Sequence, residues 1–279
     1  MLKIGRLMSR LSGLLLLCLT LIASGSVLSQ PRQSLVPGGV ALIDLEPGQT
    51  SGFYFRDNPV LVAKIDGVDR AIVGLPLSLK PGEYFIERRE GGQVHKKFFQ
   101  VEDKEYTVQR ITITNKRKVN PYESDMPRIL AEKERKQKAR KHYSKGDVDL
   151  NLLLPVQGIQ TGSFGRRRVF NGQWRRPHSG MDIAAETGTP ILAPAAGKVI
   201  ESGDFFFSGN LIYLDHGQGM ISLFAHLSEI DVELGDMVEK GQVIGKVGAT
   251  GRVTGPHLHW SLGLNGTWID PALFIEDQL

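Results

Sequence analysis

The sequence predicts a mainly β protein in three parts: a small N-terminal antiparallel β-sandwich, a charged helical linker, and a C-terminal all-β domain with antiparallel sheets. The chain of 279 residues contains 32 Gly, 14 Pro and only 8% aromatic residues, which favours short strands and frequent turns. Short apolar runs separated by turn residues recur on both sides of one strongly charged segment. Only that segment combines a helix start signal with i,i+4 charge pairs. We therefore expect the parts to be 1–29, a signal peptide, followed by 30–115, 116–147 and 148–279.

The first 29 residues have the pattern of a secretory signal. Lys3, Arg6 and Arg10 form a positive region without acids, and residues 11–22 are mostly apolar. This apolar stretch is about a dozen residues long, whereas a membrane-spanning helix needs roughly 20. We expect cleavage near residue 29 and export to the periplasm or cell envelope. The alternative is an uncleaved signal that anchors the protein, and only then would the membrane be a partner.

Removal of this signal changes what the composition implies. It takes three of the 34 basic residues and none of the 30 acidic ones, so the mature chain is close to neutral and gives no reason to expect a nucleic-acid partner. It also takes the single cysteine, Cys18. Cysteine hydrolases, dithiol redox proteins and Cys-ligated zinc modules are thereby excluded. An exported chain without cysteine is typical of a bacterial envelope protein.

The N-terminal part reads as a series of strands separated by turns. The predicted strands are 40–43, 53–55, 60–63, 71–75, 84–86 and 107–114. Gly-containing turn signals separate several of them, as at Asp66-Gly67 and Pro81-Gly82. We find no catalytic set of residues here. We expect this domain either to bind an envelope protein partner or to act as a spacer.

Residues 116–145 are the charged segment, with eleven Lys or Arg and four acids. Ser124 or Asp125 can cap a helix that has Pro127 in its first turn. Glu132 and Lys136 are spaced for an i,i+4 ion pair. We expect a solvated linker helix, and the alternative is a basic arm attracted to an anionic polymer.

The C-terminal part contains residues with the chemistry of a metal site. His178 and Asp182 lie four residues apart, and His257 and His259 lie two apart, so that each pair can lie on one side of an element. Imidazole nitrogen and carboxylate oxygen suit Zn²⁺, and three such ligands leave one tetrahedral position open, as in catalytic sites. Spacing alone does not tell which residue of the His257–His259 pair would bind the metal.

His226 is a further candidate. Strand alternation in 220–227 places it on the face opposite Ile221 and Leu223, where it is either a proton-transfer group or a structural histidine. The chain has no H-E-x-x-H motif, so the glutamate base of many zinc proteases is missing. A hydrolase built on this domain would need a histidine that does not bind the metal as its base. His216 lies between turn residues and is expected to be structural.

These motifs resemble the lysostaphin-type (LytM-domain) peptidoglycan zinc metalloendopeptidases. The resemblance covers roughly residues 155–275 and rests on ordered segments: Gly162-Ser163-Phe164-Gly165-Arg166-Arg167, His178-Ser179-Gly180-Met181-Asp182, Phe224-Ala225-His226-Leu227-Ser228, Gly241-Gln242-Val243-Ile244-Gly245, and Thr250-Gly251-Arg252-Val253-Thr254-Gly255-Pro256-His257-Leu258-His259-Trp260. It implies one zinc ion per chain, held by His178, Asp182 and His259. It also implies that His226 and His257 are the unligated histidines beside the metal. The chain departs from the family at Ser261, where many members have Glu.

The function that this resemblance implies is hydrolysis of peptide cross-links in peptidoglycan by an exported zinc metalloendopeptidase, with stem peptides as partners. A D-Ala–diaminopimelate bond is the expected target, and glycine bridges are the alternative. Zinc would polarise the scissile carbonyl and acidify a water molecule, one free histidine would act as base, and the other would help to stabilise the oxyanion. The Arg-rich stretch before His178 could contact substrate carboxylates, with Arg167 favoured because it matches the family motif.

The sequence leaves two alternative functions. The first is a non-enzymatic regulator that binds a cell-wall amidase, and the five filled site positions argue against it. The second is a carrier domain, because residues 232–245 are similar to biotinyl and lipoyl barrels. Lys240 lacks the sequence context of a modified lysine, which makes this the weaker alternative.

Overall fold

A computed structural model describes residues 31–275 of the chain. The predicted signal and Cys18 lie outside the described residues. Between residues 31 and 275, no helix is both long and apolar enough to cross a bilayer.

The N-terminal module is an antiparallel sandwich of two small sheets, as the sequence predicts. Its strands are β1 (Val40–Asp44), β2 (Phe53–Phe55), β3 (Asn58–Pro59), β4 (Leu61–Ile65), β5 (Val68–Gly74), β6 (Gly82–Glu90) and β7 (Gln93–Val101). The first sheet has the order β1-β5-β4 and the second β3-β2-β6-β7. Ala41 and Val73 of the first sheet pack against Phe53, Phe55 and Ile86 of the second. The alternation of apolar residues in the strands therefore produces one closed core between the sheets.

Strand β5 is buried on both of its faces. Ala71 and Val73 point into the sandwich, whereas Ile72 belongs to a second core that it shares with the C-terminal domain. This explains why residues 71–75 form a continuous apolar run instead of alternating with polar residues. The N-terminal module is thus packed on the rest of the protein by the outer face of its first sheet.

The C-terminal domain is built on one large twisted sheet. Its strands, with one that precedes the linker, are β8 (Val108–Ile111), β9 (Ile159–Gly162), β10 (Arg167–Phe170), β11 (Gln173–Trp174), β12 (Met181–Ala184), β13 (Pro190–Leu192), β14 (Gly197–Phe205), β15 (Gly209–Asp215), β16 (Ile221–Leu227), β17 (Glu229–Ile230), β18 (Met237–Val238), β19 (Val243–Lys246), β20 (Leu258–Leu264) and β21 (Thr267–Ile269). The main sheet has the order β18-β14-β15-β16-β20-β12-β9, with β21 paired to β20. A second sheet has the order β13-β19-β17 and a third β11-β10-β8.

The predicted antiparallel arrangement holds for the main sheet, but β8 is an exception. It pairs in parallel with β10, through Val108 opposite Arg167 and Ile111 opposite Phe170. We expected this strand, predicted at 107–114, to belong to the N-terminal sandwich. It instead joins the C-terminal domain, where Asn171 exchanges side-chain hydrogen bonds with the main chain of Ile113 at 2.8 and 3.0 Å.

The segment between β8 and β9 contains the helix of the charged region. Two 3-10 helices, Lys116–Lys118 and Glu123–Asp125, lead into α1 (Met126–Arg140), and a 3-10 helix, Pro271–Phe274, follows β21. The Asp125 carboxylate, one of the two expected caps, does not cap α1; it pairs with Arg117 and accepts a hydrogen bond from the Tyr122 main chain at 3.0 Å.

Helix α1 is largely exposed, as expected of a solvated linker helix, but it also packs on one face of the main sheet. Ala139 packs among Phe205, Tyr213 and other buried residues of that face. The buried Glu132 accepts a hydrogen bond from the Phe206 main chain at 2.8 Å and pairs with Arg128 at 2.5 Å. We expected Glu132 to pair with Lys136, but it pairs with Arg128 instead. The many basic residues of the segment thus surround a helix that is anchored by its own acid and by apolar contacts.

The two faces of the main sheet have different neighbours. Met181, Ile183, Phe224 and Trp260 point into the inner core, which contains the second sheet and the outer face of the N-terminal module. The residues that alternate with them in β12, β16 and β20 point to the face that carries α1. The functional residues lie on this second face.

Candidate metal centre and its histidines

The pairing of β12 with β20 brings two of the predicted ligands together. Asp182 and His259 are directly opposite each other in this antiparallel pair. Cross-strand neighbours on one face have Cβ atoms roughly 4.5–5.5 Å apart, which places both side chains at one point. His178 precedes β12, and its main-chain carbonyl accepts a hydrogen bond from Gly165 at 2.9 Å, which holds it beside the strand. Residues 77 positions apart are thereby joined in one cluster.

Three potential ligand atoms converge in this cluster. His178 Nε2 lies 2.9 Å from Asp182 Oδ1 and 3.0 Å from His259 Nδ1, and the latter two atoms are 2.8 Å apart. All three residues are buried, with 8% or less of their surface exposed. This donor set fits a zinc ion, and it leaves a coordination position for water or substrate.

The hydrogen bonds behind the two histidines fix which nitrogen faces the cluster. His178 Nδ1 lies 2.8 Å from the Ser163 carbonyl, which only accepts, so Nδ1 carries the proton and Nε2 is free to bind a cation. His259 Nε2 lies 2.9 Å from Ser261 Oγ, so its Nδ1 faces the cluster. Ser261, where this chain departs from the family pattern, is therefore a direct support of a candidate ligand.

The charge states also suit a cation. Burial raises the pKa of Asp182, but the close contacts with the His178 and His259 rings outweigh that effect and hold the pKa well below its usual value. Burial lowers the pKa of His259 to about 4, against the opposing effect of Asp182. At neutral pH the site thus contains a carboxylate and an imidazole with a free lone pair, which are the ligand forms.

Arg168 contacts the other oxygen of Asp182. Its Nη2 donates to Asp182 Oδ2 at 2.6 Å, while Oδ1 stays within the cluster. Strand alternation in β10 separates it from its neighbour Arg167, which is exposed and lies over the Trp174 ring at 4.8 Å. The predicted substrate residue Arg167 is thus not in contact with the cluster. Sequence reasoning did not single out Arg168, although alternation along the strand would have shown that the two arginines differ.

His226 and His257 lie beside the three ligand candidates. Their rings are 4.9 Å apart between centroids, and the His226 ring is 6.0 Å from that of His259. His226 Nδ1 lies 2.8 Å from the Thr250 carbonyl, and His257 Nδ1 lies 2.9 Å from the Gly255 carbonyl. Since a carbonyl only accepts, each Nδ1 is the donor, and each neutral ring keeps a lone pair on Nε2. Burial lowers the pKa of His226 to about 3, so this ring is neutral at physiological pH.

The backbone of His226 is unusual. Its φ is 71°, in the left-handed region that residues with a Cβ avoid, and the pairing of β15 with β16 shifts register at this point. Simple alternation would give His226 the same face as Phe224, in the inner core. The left-handed residue instead directs the ring to the other face, next to His257 and His259. Such strain is typical of functional sites.

His216 has a structural role, as expected. Its two ring nitrogens lie 2.9 Å from the Ala196 carbonyl and 2.9 Å from Ser222 Oγ, and the residue is buried. Both polar atoms of the ring are therefore satisfied within the fold.

Comparison with known proteins places these features in a family. Two family models match the chain: peptidase family M23 over residues 176–271 and the N-terminal domain of peptidase family M23 over residues 33–104. The first range contains all five histidine and aspartate positions of the site. The second corresponds to the sandwich module.

Individual relatives agree with this match. The peptidoglycan DD-endopeptidase ShyC of Vibrio cholerae is 43% identical over 113 residues, which are 40% of this chain and 26% of the relative. The DD-carboxypeptidase/endopeptidase Mpg of Neisseria meningitidis is 44% identical over 99 residues, 36% of this chain and 23% of the relative. The chain therefore matches about a quarter of the length of these curated relatives. A crystal structure of a candidate M23 peptidase from Pseudomonas aeruginosa is 44% identical, covers 87% of this chain and 95% of that chain, and has a TM-score of 0.74.

Proposed function

The chain belongs to peptidase family M23, and we propose that it is an exported zinc metalloendopeptidase that hydrolyses peptide cross-links of bacterial peptidoglycan. The observation that carries the proposal is the position of His226 and His257 beside a His–Asp–His donor set, at one face of the main sheet. The names of the relatives ShyC and Mpg support a DD-peptide bond as the target. We propose the D-Ala–diaminopimelate bond, and a periplasmic or envelope location in keeping with that substrate.

The proposed metal ligands are His178, Asp182 and His259. When bound, zinc supplies Lewis-acid chemistry that polarises a carbonyl and makes a nearby water more acidic. The Ser163 carbonyl sets the tautomer of His178, the Ser261 hydroxyl helps to orient the His259 ring, and Arg168 holds the Asp182 carboxylate.

The proposed catalytic residues are His226 and His257. In each ring a main-chain carbonyl holds the Nδ1–H, so the lone pair of the neutral ring is on Nε2. One ring can accept the proton of the attacking water and return it to the leaving amine. The other can donate to the oxygen of the tetrahedral centre once it is protonated. The buried surroundings of His226 keep it in the basic form before reaction.

Two further parts of the proposal concern recognition. The exposed Arg167, stacked on Trp174, remains our candidate for a contact with the stem peptide at the rim of the site. An envelope protein partner for the N-terminal module also remains a proposal, and its second sheet, with the exposed Val94 and Phe98, is the surface for it.

The proposed function is tested with purified mature protein, residues 30–279, loaded with zinc. Purified muropeptide dimers that contain either a D-Ala–diaminopimelate bond or a pentaglycine bridge are incubated with the protein and analysed by liquid chromatography and mass spectrometry. We expect conversion of the first dimer to monomers, inhibition by EDTA and recovery on zinc addition. A folded, zinc-loaded protein that cleaves neither dimer would overturn the proposal and favour the non-enzymatic regulator.

A further inference from the structure

A cluster of arginines lies next to the metal centre and has few acids to balance it. The cluster consists of Arg168, Arg175 and Arg252, and we call it the arginine cluster. Within residues 31–275, Arg168 forms its ion pair with Asp182, whereas Arg175 and Arg252 are in no ion pair. Arg175 instead donates to the Val119 carbonyl at 3.0 Å, and Arg252 to the Lys118 carbonyl at 3.3 Å.

Arg252 is the central member. Its guanidinium lies over the rings of Phe170 and Phe207, at 4.8 and 4.6 Å from their centroids. Burial, followed by the nearby charges of Arg168 and Arg175, lowers its pKa to about 10. A partly buried cation that is repelled by its neighbours is costly unless an anion compensates it.

Arg168 is also incompletely satisfied. Its Nη2 binds Asp182, but its Nε is buried and has no hydrogen-bond partner. Buried donors without a partner are rare in native proteins, and they indicate a missing partner. The guanidinium therefore has an unused donor next to the metal ligand that it supports.

Lys136 of α1 adds another positive charge near the cluster. Burial lowers the pKa of Lys136, and the charges of Arg252 and Arg176 lower it further. Glu132, the acid of the helix that acts on Lys136, forms an ion pair with Arg128 and accepts a hydrogen bond from the Phe206 main chain. Between residues 31 and 275, neither Lys136 nor Arg252 therefore has an acid as an ion-pair partner.

The loop that carries Arg252 also holds the two free histidines. Thr250 and Gly255 accept the hydrogen bonds from His226 and His257, and the Arg252 main chain donates to the Phe207 carbonyl at 2.9 Å. A ligand that binds Arg252 is thus fixed relative to the groups that would move the proton. Because Arg168 contacts Asp182, an anion held by both arginines would lie beside the proposed metal ligands.

We infer that Arg252, together with the unpaired Nε of Arg168, binds the free carboxylate on the carbon atom that carries the scissile nitrogen. This inference rests on the proposed function and deepens it. A diaminopimelate residue that is acylated by D-Ala has a carboxylate at this position, and so does a C-terminal D-Ala. An internal glycine of a bridge has none. The forked guanidinium suits two parallel hydrogen bonds to such a carboxylate.

The experiment uses zinc-loaded mature protein and two muropeptide dimers that differ at one group. One dimer has the free carboxylate beside the scissile nitrogen, and the other has a carboxamide there. We expect the wild-type kcat/KM to be on the order of 10–100-fold higher for the acid, the range of a charged hydrogen-bonded pair. Arg252→Gln should bring this ratio close to 1, and Arg252→Lys should keep part of it. Arg89→Gln, which removes an exposed arginine from the N-terminal module, is the matched control and should keep the full ratio.

Zinc content and thermal unfolding of each variant separate recognition from misfolding. If Arg252→Gln does not fold, the inference is tested by the ratio of kcat/KM for acid and amide in the wild type and in Arg252→Lys. A lower ratio in Arg252→Lys than in the wild type supports the inference, and an equal ratio contradicts it. A wild-type enzyme that cleaves acid and amide equally, or a folded Arg252→Gln protein that keeps the wild-type ratio, would overturn the inference.

A binding measurement distinguishes this inference from the proposed function. Wild type and Arg252→Gln are titrated with N-acetyl-D-Ala-D-Ala and with its C-terminal amide. If no dimer is cleaved, the proposed function fails. The carboxylate site still stands if the wild type prefers the acid and Arg252→Gln does not, and it fails if acid and amide bind equally.

Discussion

Asp182 Oδ1 lies 2.8 Å from His259 Nδ1, and the two residues are direct partners across the antiparallel pair of β12 and β20. The register of one strand pair therefore sets the separation of two proposed ligands. A shift of this register by one residue would place one of them in the inner core.

The first prediction separates metal binding from catalysis. His178→Ala should lose zinc and activity together, because it removes a ligand. His257→Ala should keep zinc but lose about 10²–10⁴-fold in kcat, the usual contribution of an acid–base residue. Metal analysis of both purified variants, alongside the muropeptide assay, tests this. A zinc-replete and fully active His257→Ala protein would contradict the assigned roles.

The second prediction concerns Arg168. Arg168→Gln should weaken zinc binding about 10–100-fold, the usual effect of removing a group that orients a ligand. The reason is that the Asp182 carboxylate loses the partner of its Oδ2 atom. Competition with a chromophoric chelator measures the affinity. Arg167→Gln is the matched control at the adjacent, outward-facing position, and equal zinc affinities for the two variants would argue against the role of Arg168.

The third prediction concerns Ser261. Ser261→Ala should lower zinc affinity about tenfold, because His259 Nε2 loses its partner and the ring is less firmly oriented. Ser222→Ala removes the partner of His216 and serves as the control, with an effect on stability but not on zinc binding. The same chelator competition measures both variants. An unchanged affinity in Ser261→Ala would show that packing alone holds His259.

The fourth prediction tests the connection between the two modules. The Asn265 side chain accepts from the Gly74 main chain at 2.7 Å and donates to its carbonyl at 3.0 Å, within a buried contact. Asn265→Gly keeps the left-handed backbone and should cost about 2–3 kcal/mol, since two buried groups lose their partner. Urea unfolding measures this. Asp57→Gly, at an exposed left-handed position, should change stability by less than about 0.5 kcal/mol.

The fifth prediction concerns pH. The pKa values of His226 and His259 are lowered by burial to about 3 and about 4, while an unfolded chain has histidine pKa values near ~6.5. The unfolded state therefore binds more protons between these values, and the stability of the metal-free protein should fall as pH drops from about 6.5 towards 4. Urea unfolding across this range gives the slope. His226→Gln should make the slope shallower by about one proton, and an unchanged slope would contradict the lowered pKa.

Much of the fold and the site could be predicted from local patterns. Gly-rich turns and apolar runs predicted the sandwich and the β-rich C-terminal domain, and the fold confirms both. The spacing of His178, Asp182, His257 and His259 indicated a metal site, although the choice of His259 as a ligand came from the resemblance.

Other features depend on long-range contacts that no local pattern contains. The parallel pairing of β8 with β10 joins residues about 60 positions apart, so residues 108–111 alone could not reveal it. Helix α1 looked solvated because its stripe of apolar residues is short, yet Glu132 and Ala139 are buried. The direction of the His226 ring follows from a left-handed residue at a register shift, where simple alternation fails. The sequence did not predict a role for Arg252, because only the fold brings it near Arg168.

The burial of β5 on both faces has a consequence for how the protein is made. A ribosome completes β1, β4 and β5 well before β20 and β21, which supply the apolar residues that cover Val40, Leu61 and Ile72. Until then, the apolar outer face of the first sheet of the N-terminal module is exposed to water. A shortened protein that begins at residue 148 would carry the complementary surface, including Leu264 and Ile269. We therefore expect either half alone to aggregate more readily than the whole chain.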